Sequence, residues 1–169
     1  MRIIISDTCC LIDLRKAALL EFFLHLPFEI LIPNTLFEDE LLSFNPEEKE
    51  SLLKAGLKVI DLPGPKVVRA RDVVRVWPRL SIHEGFAFAL AETHTGCILL
   101  TGDLALRIPA RRSRIEVRGI LWVCDQLFET CLSTAEQLHA ALSLLAADPA
   151  VRLPRRELGV RIRRYQAQK

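Results

Sequence analysis

Two aspartates in this sequence each follow an apolar run: Asp7 comes after RIIIS (2 to 6), and Asp103 after CILLTG (97 to 102). In open parallel sheets, ligands collect outside the carboxyl ends of the strands. Both aspartates would then share one edge and, on neighbouring strands, face each other across a few ångströms. Like charges that close are unfavourable unless something cationic sits between them. A carboxylate-bound cation is therefore the first chemistry to consider.

Two further acids could join them from helices. In SIHEGFAFALAE, Glu84 stands three residues after Ser81, the S-x-x-E spacing of a capping box. The helix it opens is so apolar that its first turn should lie close to the sheet edge. In NTLFEDELL, helical phase separates three acids. Glu40 falls on the face of Leu36, Phe37, Leu41 and Phe44, Asp39 points away, and Glu38 lies at the margin. Glu40 is the expected site acid and Glu38 the reserve. His83, a lone histidine in a first helical turn, reads as a surface residue. The hydroxyls of Thr8 and Thr101 stand ready to bond the carboxylates.

The elements that must position these side chains alternate along the chain. Strand patterns occur at RIIIS (2 to 6), FEILIP (28 to 33), LKVIDL (57 to 62), CILLTG (97 to 102) and IEV (115 to 117). Helical spacing marks 10 to 26, 34 to 44, 46 to 55 and 81 to 94, and three more helices are expected after Gly119. Strand and helix in turn argue for an α/β fold, a mostly parallel sheet with helices on both faces.

The 169 residues, half of them hydrophobic and 26% charged, suit one compact domain. The division expected is a domain over residues 1 to 150 and a basic, helical tail over 151 to 169. The short N-terminal apolar run fits neither a signal peptide nor a membrane span, so a cytoplasmic protein is expected. Five cysteines without C-x-x-C spacing (Cys9, Cys10, Cys97, Cys124 and Cys131) read as reduced core residues. A net charge of +2 identifies no polyanion partner, but basic residues gather in RIPARRSRIEVRG (107 to 119) and RLPRRELGVRIRR (152 to 164).

The stretches IISDTCCLIDL, IPNTLFEDELL, LSIHEGFAFALA, ILLTGDLALR and VRGILWVCDQL resemble, in order, the motifs of PIN-domain nucleases, in particular VapC-like ribonuclease toxins. They span roughly residues 3 to 130. The resemblance implies a three-layer α/β/α sandwich and an acidic cluster that binds Mg²⁺ or Mn²⁺ to cleave RNA phosphodiester bonds. Position by position, Asp7, Glu40, Glu84 and Asp103 match the four acids, as catalytic residues and metal ligands. Asp7 and Asp103 would hold the main ion, Glu40 would orient ligands or waters, and Glu84 would assist a second ion or position the attacking water. One departure is visible: relatives usually carry aspartate where this chain has Glu84, and the extra methylene moves the carboxylate by about a bond length. The resemblance also implies a toxin of a toxin–antitoxin pair, held by a small antitoxin over the acidic site and often forming a homodimer. Relatives commonly end before the arginine-rich tail.

RNA must also reach the carboxylates, and Arg107, Arg111, Arg112 and Arg114 follow Asp103 closely enough to attract its backbone. Other classes fit less well. No G-x-G-x-x-G or P-loop follows the first strand. An aspartyl-phosphate domain would need a lysine at a matching strand end, and neither Lys58 nor Lys66 sits in such a motif. The remaining rival is a PIN-like domain that binds RNA or protein without cutting.

Overall fold

The computed structural model describes residues 1–168. Five short strands form its centre: β1 (Arg2–Ser6), β2 (Phe28–Pro33), β3 (Lys58–Ile60), β4 (Ile98–Leu100) and β5 (Glu116–Arg118). All pair in parallel, in the order β3-β2-β1-β4-β5. Ile4, Ile5, Ile98, Leu99 and Leu100 are fully buried, as strands covered on both faces require.

Helices flank the sheet as an α/β/α sandwich. They run α1 (Thr8–Lys16), α2 (Leu20–Leu24), α3 (Asn34–Asp39), α4 (Pro46–Lys54), α5 (Gly64–Val76), α6 (Ile82–Glu92), α7 (Leu104–Arg112), α8 (Ile120–Glu129), α9 (Ala135–Ala147) and α10 (Arg155–Gln166). Helix α6 packs on β1, β2 and β4, with α5 against it. Gly85 permits that approach, because a Cβ there would meet the Ala70 carbonyl at 2.8 Å. Helices α1 and α2 meet α8, and α9 and α10 pack together behind it. Among the described residues, no helix is long and apolar enough to cross a membrane.

Three local expectations need correction. The helical pattern over 10 to 26 breaks at Ala18, whose φ is 54°. The Leu19 amide bonds the Leu14 carbonyl at 2.8 Å and the Ala18 amide that of Arg15 at 3.0 Å, a Schellman ending. Buried Leu14 and Leu19 make it worthwhile, with no glycine to announce it. The pattern over 34 to 44 ends as a helix at Asp39, with Glu40 as C-cap. Helix α5 forms where no element was expected. It buries only Ala70 and Val73, too narrow a stripe to stand out in the sequence.

Chain order fixes where the functional edge lies. From β1 the chain moves outward through β2 and β3, then returns to the other side of β1 with β4 and β5. The order reverses between β1 and β4, the crevice where open α/β sheets bind ligands.

Candidate active site

Asp7 and Asp103 leave neighbouring strands on the two sides of that crevice, since Ser6 pairs with Leu100. Each is the N-cap residue of the helix that follows, α1 and α7 respectively. Asp7 is 5% exposed. Its Oδ2 accepts hydrogen bonds from Thr101 Oγ1 at 2.8 Å and from the Cys9 thiol at 3.2 Å. Thr101 Oγ1 in turn accepts from the Asp103 amide at 3.1 Å, so one buried hydroxyl connects both aspartate positions. The Asp103 carboxylate is at the surface and caps α7 by accepting from the Ala105 amide at 2.6 Å.

The two glutamates arrive from the other side of β1. Glu40 Oε2 accepts from Thr8 Oγ1 at 2.5 Å, which ties the end of α3 to the start of α1. The short α3 ends at Asp39, and its C-cap Glu40 turns toward Thr8 as the helical phase predicts. The Glu40 side chain is 30% exposed, whereas Glu38 is 59% exposed and faces Lys49 at 3.6 Å. Glu84 forms the expected capping box with Ser81, accepting from the Ser81 amide at 2.7 Å. The same carboxylate is near enough to Asp103 and Asp7 to feel both charges.

The electrostatics follow from burial and crowding. Burial pushes the Asp7 carboxyl above its usual value and the Glu40 charge adds to this, while bonds from Thr101 and Cys9 oppose it. Burial also raises Glu84, as do the charges of Asp103 and Asp7, against the bond from Ser81. Elsewhere half-buried carboxylates are neutralised: Asp125 meets Arg161, and Glu92 meets Arg69. Among the described residues, no lysine or arginine pairs with Asp7, Glu40, Glu84 or Asp103. Four uncompensated carboxylates at one switch point form a strongly cation-attracting edge.

Two residues that read from sequence as surface and core, His83 and Cys9, stand beside them. His83 is half-buried, not a free surface residue, with Nε2 3.2 Å from Asp39 Oδ2 and Nδ1 3.5 Å from Glu40 Oε1. Cys9 is half-buried and directed at Asp7, while Cys131 is exposed, so neither is a core cysteine. His83 finds its partners on α3, and Cys9 meets Asp7 within the first turn of α1.

The basic residues after Asp103 part company. Arg107 is half-buried and forks onto the Thr101 carbonyl at 3.1 and 2.9 Å. It fits because Gly119 has no Cβ, which would lie 2.6 Å from its Nη2. Arg112 lies over the Trp77 ring at 5.0 Å. Arg111 and Arg114 are exposed, Arg114 with φ of 59°.

Whether these donors suit a divalent ion depends on how many it demands. Among the described residues, no three His, Cys, Asp or Glu side chains are already arranged to ligate one ion. Mg²⁺ does not ask for such a cage. It keeps several waters and takes one or two carboxylates together with substrate phosphate oxygens. The crowded oxygen donors around Asp7 fit that lesser demand, and hard oxygen ligands suit Mg²⁺ and Mn²⁺ alike.

No curated protein matches the chain. A family model described as a PIN domain matches residues 3–167. The match extends through α10, so the arginine-rich tail lies inside the family's span. PIN domains are generally nucleases, and a parallel sheet between two helix layers is the fold that the family implies. The chain belongs to the PIN-domain family.

Proposed function

We propose that this PIN domain is a metal-dependent endoribonuclease. The observation that carries the reading is the set Asp7, Glu40, Glu84 and Asp103, gathered at the crevice without a lysine or arginine partner among the described residues, His83 beside Glu40 being their one basic neighbour. Asp7 is the buried anchor, oriented by Thr101 and Cys9, and Asp103 stands across the crevice as its more exposed counterpart. Glu40, fixed by Thr8, orients ligands from the α3 side, and Glu84 adds negative charge from α6. A bound Mg²⁺ or Mn²⁺ supplies activation of an attacking water and neutralises charge on the phosphate in the transition state. Thr8 and Thr101 keep the carboxylates in place without adding charge.

The proposed setting is the cytoplasm, as the toxin of a toxin–antitoxin pair. A small antitoxin would cover the acidic edge, and the active form would be a homodimer. A neighbouring open reading frame encoding a small DNA-binding protein would support the pairing.

Glu84 favours a second reading. Its carboxylate turns back to the Ser81 amide, which weakens its claim as a metal ligand and suits a domain that binds RNA or protein without cutting. One experiment separates the two. A mixed RNA pool is incubated with purified protein and Mg²⁺ or Mn²⁺, with EDTA, and with Asp103→Asn. Cleavage that needs metal and disappears in the variant supports the nuclease. Intact RNA with folded, RNA-binding protein favours the non-cutting domain.

A further inference from the structure

A second feature of this sheet edge lies on the β5 side of Asp103. Between α7, the start of α8 and the segment leading into α10 runs a cleft of about 510 Å³. Gly102 and Leu104, the neighbours of Asp103, form part of its wall, so it opens next to the acidic crevice. Five arginines line it (Arg107, Arg111, Arg118, Arg152 and Arg161) against two acids, Asp13 and Glu157, a formal surplus of three positive charges.

These arginines are not equally free. Arg107 is held by the Thr101 carbonyl, and Arg161 by Asp125 at 2.6 Å. Arg118 bonds Glu116 at 2.8 Å but remains 46% exposed. Among the described residues, Arg111 and Arg152 have neither a carboxylate partner nor a side-chain hydrogen bond, and both are exposed. Two free guanidinium groups converge from separate elements, α7 and the tail, where the charges of Arg107 and Arg111 already oppose each other. An anion in the cleft would relieve that opposition.

We propose that this arginine-walled cleft is the subsite that grips the phosphodiester backbone of single-stranded RNA beside the scissile bond, with Arg111 and Arg152 donating to its phosphates. The assignment rests on the ribonuclease reading. It gives the tail a role, since Arg152 completes the cleft, and removes Arg107 from the group of free phosphate ligands. Guanidinium forks suit phosphate oxygens and read no bases, so the grip is independent of sequence. The half-buried Trp122 supplies an apolar wall against which a sugar or base can rest.

The test is the affinity of a 5′-labelled single-stranded RNA of mixed sequence, measured by fluorescence anisotropy in EDTA over a series of salt concentrations. Wild-type protein is compared with Arg111→Ala/Arg152→Ala, with the charge-preserving Arg111→Lys/Arg152→Lys, and with Lys54→Ala/Lys58→Ala at the β3 edge, the opposite end of the sheet from β5. The last pair removes the same charge from distant surfaces. The alanine pair in the cleft should weaken binding at least about tenfold. The slope of log affinity on log salt should flatten by about 1.4, two phosphate contacts at about 0.7 each on a single strand. The lysine pair and the distant pair should stay within about threefold of wild type. Should the alanine pair not fold, Arg152→Glu alone carries the same expectation of at least about tenfold.

Cleft variants that bind RNA as wild type does, or no worse than the distant pair, overturn the proposal and leave the cleft to a protein partner. Wild-type protein that binds through the cleft yet cuts no RNA with Mg²⁺ or Mn²⁺ removes the nuclease reading alone. Wild-type protein that binds no RNA overturns both.

Discussion

Thr101 Oγ1 donates a 2.8 Å hydrogen bond to Asp7 Oδ2 and accepts one from the Asp103 amide, so a fully buried hydroxyl spans β1 and β4 at the point where strand order reverses. Thr101→Val preserves shape and removes both bonds. It should destabilise the fold by about 1–2 kcal/mol, since it leaves a buried carboxylate with one donor fewer. The Thr101 bond opposes the rise in Asp7's pKa, so its loss lifts that pKa further. The acidic limb of the pH–activity profile should move to higher pH in Thr101→Val, which a profile taken with subsaturating metal would measure.

Asp7 should also make stability depend on pH and, as the proposed metal ligand, on Mg²⁺. Its carboxyl is raised in the folded state by burial, so folding favours the protonated form. That contribution is fully present below the unfolded value, near 4, and is lost as pH rises through the folded value. Without divalent ions near neutral pH, Asp7→Asn should therefore melt above wild type, and the difference should close as pH falls below about 4. Mg²⁺ at ten times its Kd would add about 1.4 kcal/mol to wild type, about 3–6 °C for a chain of this length. The variant should gain much less. Thermal scans with and without Mg²⁺ check both points.

Glu84 combines a cap and a charge, and Glu84→Gln separates them. Glutamine at the same position can still accept from the Ser81 amide, so the variant should unfold within about 0.5 kcal/mol of wild type in urea. Glu84→Ala loses the reciprocal bond and should cost about 1 kcal/mol. If the charge serves the chemistry, Glu84→Gln lowers kcat with the fold intact. Unchanged kcat would confine Glu84 to capping.

The tail is secured by a different acid. Asp125 on α8, 18% exposed, receives Arg161 Nη2 at 2.6 Å and the Tyr165 hydroxyl at 3.2 Å. Tyr165 itself is fully buried. Asp125→Ala leaves both donors without their acceptor and should cost about 3 kcal/mol in urea unfolding. Because α10 follows the segment that carries Arg152, the same variant should also weaken RNA binding. A binding loss without a stability loss would contradict this link.

Much of this was legible in the chain, and the reasons are specific. RIIIS and CILLTG announce buried parallel strands because no polar residue interrupts them, and each delivers its aspartate to a strand end. Helical phase alone selects Glu40 over Glu38, since only one of the two can share a face with Leu36 and Leu41. What could not be read depends on partners distant in sequence. Asp7 takes its bond from Thr101, just past β4 and far along the chain, and His83 reaches Glu40 only when α3 and α6 pack. Arg107 resembles its basic neighbours in sequence, yet Gly119 leaves a space that commits it to the Thr101 carbonyl. Ala18 ends α1 in a left-handed conformation that sequence reasoning reserves for glycine.

On the proposed function, the Asp7 carboxylate belongs to a metal-dependent reaction centre for RNA. Single-turnover cleavage of a labelled RNA by wild type and by Asp7→Asn tests it most directly, at matched folded fraction and with the product ends identified. Cleavage that EDTA abolishes is expected, with a rate at least about a hundredfold lower in the variant and ends without 2′,3′-cyclic phosphate, because water and not the 2′-hydroxyl attacks. Cleavage by Asp7→Asn at close to the wild-type rate, or cyclic phosphate formed in the presence of EDTA, would contradict it.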